Sequence, residues 1–209
     1  MMRFAIALMC VFLAKESAGH GMLLDPPNRS SLWRFDDEAP INYNDNENFC
    51  GGANVQWQEN GGKCGVCGDN YRDPHPQKNE NTGLYGQGKI VANYTSGEII
   101  ETYSLLTANH LGHFEFDLCV LEDVNAIEPG DDCFIPLRFV NREYKFPITK
   151  DDYQVINRLQ LPEGFECEHC VLRWIYVGGN NWGLCEDGSY ALGCGPQESF
   201  RSCADISIL

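Results

Sequence analysis

The chain has 209 residues and a formal net charge of −15 at pH 7, so it is long enough for one domain with a substantial core. So acidic a chain is a poor candidate for binding nucleic acid or an anionic membrane, because both attract basic patches. A neutral polymer such as a polysaccharide would not repel it.

The first residues have the pattern of a secretory signal peptide. Arg3 supplies a positive charge, and residues 4–14 form an apolar run that is too short to span a bilayer. Ser17 and Gly19 are the small residues that signal peptidase requires before a cut. We therefore expect residues 1–19 to be removed and residues 20–209 to form a single secreted, extracellular domain. We expect this domain to be monomeric and to have no membrane anchor.

Cleavage after Gly19 would make His20 the first residue of the mature chain. A histidine at a free amino terminus can bind one metal ion through two nitrogens, the α-amine and the ring Nδ1. These nitrogens suit copper, and a second histidine would complete a site with three nitrogen ligands. The alternative is that His20 is only the residue that happens to follow the cleavage site.

The cysteines are typical of an oxidising compartment. One of the 11 cysteines lies in the signal peptide, and the remaining ten predict up to five disulfides whose pairing the sequence leaves open. They are Cys50, Cys64, Cys67, Cys119, Cys133, Cys167, Cys170, Cys185, Cys194 and Cys203. The alternative is a zinc site built from the two CxxC motifs, which their wide separation and the secretion signal disfavour. Two sequons, at Asn28 and Asn93, are candidates for N-glycosylation.

Residues 20–89 are rich in Gly, Asn, Asp and Pro and show little periodicity. They predict mostly loops with short helical turns, held by disulfides rather than by a large core. Aromatic residues punctuate this segment. One of them, Tyr43, is a candidate for stacking on the apolar face of a sugar ring, although packing beneath the loops is an equally good interpretation.

The remainder of the chain predicts strands. Residues 98–107 are rich in β-branched and aromatic side chains, and residues 113–120 alternate strictly, which places Phe114, Phe116, Leu118 and Val120 on one face. Further predicted strands cover residues 134–140, 144–148, 154–159 and 170–177, and a Gly- and Cys-rich loop from 178 ends in a short strand at 203–208. Without long amphipathic helices between them, these strands predict an all-β fold, an antiparallel β-sandwich.

The connection between the two clearest strands contains His110, which could extend from a rigid scaffold into a surface site. His113 is a competing candidate because it begins the next strand. From the residues alone, a single loop histidine is more often an ordinary surface residue than a metal ligand.

Four segments in the same order resemble the lytic polysaccharide monooxygenases, and most closely the largely animal group called auxiliary activity family 15. The segments are residues 20–34, 107–116, 171–176 and 194–206. The resemblance implies an immunoglobulin-like or fibronectin-III-like β-sandwich with long disulfide-held loops. It also implies one copper ion, cycling between Cu(I) and Cu(II), in a histidine brace.

Matched to the family, His20 and His110 are the two brace histidines. Ala108 matches a small residue that crowds one axial side of the copper. Phe200 falls where many members have tyrosine, and phenylalanine cannot coordinate the metal. Glu198 lies two residues before Phe200, and it faces the same way if this stretch is a strand. It could then hydrogen-bond or protonate an oxygen species at the metal, although a solvent-facing glutamate is an equally good interpretation.

The resemblance implies oxidative cleavage of glycosidic bonds at C1 or C4 in a crystalline polysaccharide, either chitin or cellulose. The reaction would use an external electron donor and O₂ or H₂O₂. The alternative function is a secreted copper-binding or chitin-binding protein without catalytic activity.

Overall fold

A computed structural model describes residues 19–209. The predicted signal peptide therefore lies outside the described residues, except for Gly19. The strands are β1 (His20–Asp25), β2 (Ala92–Tyr94), β3 (Ile99–Ala108), β4 (His113–Val120), β5 (Ile135–Pro136), β6 (Arg138–Phe139), β7 (Phe146–Pro147), β8 (Gln154–Gln160), β9 (Cys167–Val177), β10 (Trp182–Leu184), β11 (Tyr190–Leu192) and β12 (Ser199–Ile208). Two short 3-10 helices (Arg29–Arg34 and Asp131–Cys133) and one π-helix (Val55–Glu59) complete the described elements.

The strands form a β-sandwich. One sheet has four strands in the order β1-β3-β8-β6, and the other has the order β2-β12-β9-β4-β5, with β7 also paired to β4. Strands β10 and β11 form a separate two-stranded sheet. The pairings are antiparallel except between β2 and β12, which are parallel. None of the described helices is long and apolar enough to cross a membrane.

The core lies between the two large sheets. Phe114, Phe116 and Leu118 of β4 are fully buried, as their alternation predicts. Val120 ends the same strand and is 36% exposed, so its predicted burial was wrong: at the strand end it lies outside the space between the sheets. Trp174 completes the centre of the core, with its ring 5.0 Å from that of Phe114.

The strand predictions were right in the middle of the chain and incomplete at its ends. The predicted strands at 98–107 and 113–120 match β3 and β4. The segment expected to be mostly loop from residue 20 instead begins with β1, which pairs with β3. The closing strand starts at Ser199 rather than 203, and the hairpin of β10 and β11 lies where a loop was expected. The predicted strand at 134–140 is split by Leu137 into β5 and β6.

All ten predicted cysteines form disulfides. The pairs are Cys50–Cys64, Cys67–Cys203, Cys119–Cys133, Cys167–Cys170 and Cys185–Cys194. Because every cysteine of the two CxxC motifs is paired, none is left to bind zinc. The Cys50–Cys64 disulfide closes the loop at 50–67, and the Cys67–Cys203 disulfide joins this loop to β12. Disulfides therefore hold the loop, as predicted.

Candidate metal site

His20 begins β1 at the edge of the four-stranded sheet. The backbone of His20 lies opposite Ala108, the last residue of β3. His110 follows Ala108 by two residues, in the connection between β3 and β4. The ring Nε2 of His20 lies 3.3 Å from a carboxylate oxygen of Glu47. The next residue, Gly21, has room for no side chain, because a Cβ there would lie 2.6 Å from Leu106 Cδ2 and 3.1 Å from Trp174 Cη2. The backbone at Gly21, immediately after His20, therefore packs closely against the core.

His110 is held in the β3–β4 turn by contacts on both sides of its backbone. Its N–H donates a 2.6 Å hydrogen bond to the Tyr176 hydroxyl, and its carbonyl accepts one of 2.7 Å from the N–H of Gly179. Its ring Nδ1 lies 3.1 Å from Glu198 Oε2, and only 7% of the residue is exposed. The turn requires Gly112, which has a φ of +86° and where a Cβ would lie 1.9 Å from the carbonyl oxygen of Val177.

Gly19 fills the space between His110, Glu198 and Phe200. Its N–H donates a 2.9 Å hydrogen bond to Glu198 Oε2. A Cβ at Gly19 would lie 2.8 Å from His110 Nδ1, 3.0 Å from Phe200 Cζ and 3.1 Å from Glu198 Oε2. The residue that signal peptidase would remove therefore occupies a small space lined by a histidine, a carboxylate and an aromatic ring. This space adjoins the nitrogen that would become the amino terminus.

The donors around this space suit copper. Cleavage after Gly19 would create the α-amine of His20 next to the space that His110 lines, and amine and imidazole nitrogens are ligands that copper prefers. Among residues 19–209, no three His, Cys, Asp or Glu side chains converge as a metal site. A brace does not need such a cluster, because its third nitrogen comes from the main chain.

Phe200 and Tyr176 form the floor of the site. Phe200 lies opposite Tyr176 in the β12–β9 pair, and the two rings stack with centroids 5.5 Å apart. Both residues are completely buried. Burial raises the pKa of the Tyr176 hydroxyl, so this group stays protonated while it accepts the His110 N–H. Glu198 is also buried, at 7% exposure, and Ala108 is half-buried at the end of β3.

Tyr43 is 79% exposed, so it is not packed beneath the loops. Its ring meets the edge of Trp33 at a centroid distance of 5.5 Å. The same loop reaches His20, because the carbonyl of Asn46 accepts a 3.1 Å hydrogen bond from the N–H of Gly21 and Glu47 contacts the His20 ring. Tyr43 is thus an exposed aromatic residue on the loop that borders His20.

The other histidines have carboxylate partners elsewhere. His113, the competing candidate, contacts Glu115 at 2.8 Å. His169 contacts Asp205 and His75 contacts Glu80. The structure therefore groups His110, and not His113, with the segment that leads into His20.

The two sequons differ in exposure. Asn28 is buried, and its amide nitrogen donates to the Leu23 carbonyl and the Ser31 hydroxyl. Its Oδ1 accepts a hydrogen bond from the Ser31 N–H, which caps the first 3-10 helix. The fold therefore argues against a glycan at Asn28. Asn93 is exposed on β2, and its Oδ1 accepts a hydrogen bond from Ser207.

Sequence reasoning missed three features of this region. Tyr176 belongs to a predicted strand and to one of the family-like segments, but the sequence gives no sign that it holds the His110 backbone. Glu47 was not singled out from an acidic and irregular loop. The hairpin of β10 and β11 lies in a segment predicted to be loop. The alternation of Trp182, Leu184, Tyr190 and Leu192 with smaller or polar residues is a short strand signal.

The family of the chain follows from comparison with known proteins. The sequence model of the family described as lytic polysaccharide mono-oxygenase, cellulose-degrading, matches residues 20–206. The solved structure of the lytic polysaccharide monooxygenase AA15 from Thermobia domestica, in its Cu(I) state, has 45% sequence identity and a TM-score of 0.87. That match covers 90% of this chain and 98% of the other.

Two more distant structures show the fold alone. The cellulose-active enzyme CelS2, in complex with copper, has 16% identity and a TM-score of 0.50 over 90% of this chain and 98% of its own. An AA10 lytic polysaccharide monooxygenase from Streptomyces lividans has 12% identity and a TM-score of 0.52 over 90% of this chain and 99% of its own. The comparison with curated protein sequences returned no match. The chain belongs to the lytic polysaccharide monooxygenases of auxiliary activity family 15, which are copper-dependent oxidoreductases.

Proposed function

We propose that the mature chain begins at His20 and binds one copper ion through the α-amine and ring of His20 and a ring nitrogen of His110. The observation that carries this proposal is the position of Gly19, which lies against His110, Glu198 and Phe200. Removal of Gly19 would free this space and create the α-amine beside it. Cleavage after Gly19 would therefore both free this space and create one of the proposed copper ligands.

Copper bound there would supply one-electron chemistry with an external donor and O₂ or H₂O₂, leading to hydroxylation at C1 or C4 of a glycosidic bond. The protein's part is to hold the ligands and shape their surroundings. Tyr176 and Gly179 fix the backbone of His110, and Glu198 orients its ring. Phe200 presents a buried apolar ring, which keeps water from that side, and Ala108 leaves little bulk at the end of β3.

The substrate that fits best is a crystalline polysaccharide, chitin or cellulose. Members of the family act on such polymers with an external reductant. A crystalline polymer cannot enter a deep pocket, and the side chain of His20 is 26% exposed. Tyr43, on the loop beside His20, offers an exposed ring to a sugar face. The acidic chain also suits a neutral polymer better than an anionic one.

Secretion and a monomeric state are parts of the same proposal. The signal-like pattern of residues 1–19 and the five disulfides support export to an oxidising compartment. Mass spectrometry of the secreted chain would test the cut directly, and an amino terminus other than His20 would refute the brace.

The decisive experiment compares three forms of the secreted protein, each loaded with one equivalent of Cu(II). The forms begin at His20, retain Gly19 before His20, or carry His110→Ala. We expect an axial, nitrogen-rich electron paramagnetic resonance spectrum only from the first form. The same spectrum in the Gly19-retaining form would refute the proposed ligand set. Release of oxidised oligosaccharides by the first form alone would then separate an oxidative enzyme from a protein that only binds copper or chitin.

A further inference from the structure

Glu47 holds its carboxylate beside the ring of His20. Its Oε1 lies 3.3 Å from His20 Nε2, and both side chains are partly exposed, His20 at 26% and Glu47 at 37%. The function proposed above uses the α-amine and the ring Nδ1 of His20 as ligands. The contact with Glu47 is therefore made by the ring nitrogen that the metal does not use.

A carboxylate at Nε2 selects which ring nitrogen carries the hydrogen. A neutral imidazole has one N–H donor and one acceptor nitrogen, and an ionised carboxylate can only accept. Contact with Glu47 therefore favours the form of His20 in which Nε2 carries the hydrogen, and it leaves the lone pair of Nδ1 for the metal. Metal-bound histidines commonly donate their other ring N–H to a carboxylate or a carbonyl, which fixes the ring orientation and makes the ligand more basic.

The loop that carries Glu47 is fixed to the strands around His20. The carbonyl of Asn46 accepts a 3.1 Å hydrogen bond from the N–H of Gly21, and the side chain of Asn46 donates one of 2.8 Å to the Thr107 hydroxyl. Gly21 belongs to β1 and Thr107 to β3. The residue before Glu47 therefore joins the loop to both strands beside the candidate copper site.

A buried ion pair fixes the loop one residue earlier. Asp45 is completely buried, and its carboxylate oxygens accept hydrogen bonds of 2.5 and 2.9 Å from Nε and Nη2 of Arg34. Within the loop, the N–H of Glu47 donates a 3.0 Å bond to the carbonyl of Asn44, and the carbonyl of Glu47 accepts one of 2.8 Å from the N–H of Phe49. These contacts preorganise the backbone that carries the carboxylate, as a group that positions a metal ligand requires.

The charge of Glu47 would also act on the metal. A nearby carboxylate stabilises a doubly charged ion more than a singly charged one, because the Coulomb energy grows with the product of the charges. Loss of this carboxylate should therefore weaken the binding of Cu(II) more than that of Cu(I). A larger loss for Cu(II) than for Cu(I) raises the reduction potential of the bound copper.

We propose that Glu47 is a positioning residue for the copper site. It accepts the Nε2–H of His20, orients the ring so that Nδ1 binds the metal, and stabilises Cu(II) relative to Cu(I). This role rests on the copper site proposed above and adds a residue outside its ligand set. Glu198 contacts the ring of His110, so each proposed histidine ligand has a carboxylate of its own.

The test compares the mature wild type with Glu47→Gln and Glu47→Ala. Glu47→Gln keeps an acceptor oxygen and the size of the side chain but removes the charge, whereas Glu47→Ala removes all three. The matched controls are Glu122→Gln and Glu122→Ala, which remove the same charge at an exposed residue just after the end of β4. Chelator competition measures the affinity for Cu(II) and for Cu(I), and a redox titration measures the reduction potential.

We expect Glu47→Ala to bind Cu(II) roughly tenfold more weakly than the wild type, with a smaller change for Cu(I). A tenfold loss for Cu(II) alone would raise the one-electron potential by about 59 mV. Glu47→Gln should lie between the wild type and Glu47→Ala, and the Glu122 controls should match the wild type in affinity and potential.

Equal affinities and potentials in the wild type and both Glu47 variants would overturn the proposal. The brace itself would survive that result if retention of Gly19 still abolished the wild-type Cu(II) spectrum. Equal losses for Cu(II) and Cu(I) would also overturn it, because a loop that is only loosened weakens the binding of both ions. A wild-type spectrum that retention of Gly19 leaves unchanged would refute the copper site, and the role of Glu47 with it.

Discussion

The backbone N–H of His110 donates a 2.6 Å hydrogen bond to the hydroxyl of Tyr176. The two residues are far apart in sequence, and both are almost or completely buried. Since a buried N–H without an acceptor is costly, the tyrosine hydroxyl fixes the position of the loop that carries the histidine. The same tyrosine ring stacks on Phe200, so one side chain positions both a candidate ligand and the floor of the site.

Tyr176→Phe should therefore weaken both the fold and the copper site. Removal of the hydroxyl leaves the His110 N–H buried without its acceptor, which costs roughly 1–3 kcal/mol. We expect urea unfolding to show a loss of this size and competition with a chelator to show weaker Cu(II) binding. Tyr144→Phe, at an exposed tyrosine, is the control and should change neither quantity. Unchanged copper affinity in Tyr176→Phe would mean that the loop is held without this hydrogen bond.

Phe200→Tyr should change the surroundings of the copper. The Cζ atom of Phe200 lies 3.0 Å from the Cβ position of Gly19, so a hydroxyl there would enter the space that Gly19 fills. We expect an altered Cu(II) electron paramagnetic resonance spectrum and a stability loss of roughly 1–3 kcal/mol from the newly buried hydroxyl. Phe49→Tyr adds a hydroxyl to a ring that also stacks with Phe200, with centroids 6.4 Å apart, and should leave the spectrum unchanged. Identical spectra for the wild type and Phe200→Tyr would place the metal away from this ring.

Glu198→Ala should lower the affinity for Cu(II) by roughly tenfold or more, because His110 loses the carboxylate that orients its ring. Glu198→Gln keeps an oxygen acceptor at the same place and should lie between the wild type and Glu198→Ala. Chelator competition on the three proteins measures the series. Glu186→Ala, at an exposed carboxylate of the hairpin turn, is the control. An affinity in Glu198→Ala equal to that of the wild type would remove Glu198 from the site.

Asp205→Asn should destabilise the fold without changing the affinity of the site for Cu(II). Asp205 is buried and contacts Arg29 at 2.6 Å and His169 at 2.8 Å. Burial alone would raise the pKa of Asp205, but the Arg29 guanidinium and the His169 hydrogen bond outweigh it and hold the pKa below the ordinary 3.8. Removal of this charge would leave Arg29 with Glu128 as its one ionic partner among residues 19–209 and should cost about 3–5 kcal/mol near pH 7.

The pH dependence of this loss follows from the direction of the pKa shift. The pKa of Asp205 is lower in the folded chain than in the unfolded one, so its stabilisation is fully present above the unfolded value of 3.8 and disappears as the pH falls through the folded pKa. The difference in unfolding free energy between the wild type and Asp205→Asn should therefore shrink below about pH 4. A difference that stays constant between about pH 7 and about pH 3 would contradict the ion-pair explanation.

Local sequence patterns were sufficient for much of the fold. The alternation in β4 and the β-branched run in β3 identify these strands, because the period of two is a local property of the chain. The even number of cysteines after the signal peptide predicts disulfides, because this count is read directly from the sequence. The prediction of burial was less reliable at the end of β4. Val120 continues the alternation, but its exposure depends on how far the opposing sheet extends.

The sequence by itself determined the candidate ligands: a histidine after a cleavage signal, and a second histidine between two clear strands. Only the tertiary structure decided how they meet. The choice of His110 over His113 depends on the register that places His20 opposite Ala108, and on Tyr176, which holds the turn from a distant strand. The pairing of the cysteines, the burial of Asn28 and the exposure of the hairpin of β10 and β11 were likewise decided there. The His20–Ala108 register and the Tyr176–His110 hydrogen bond join residues far apart in the chain, and such contacts leave no local period in the sequence.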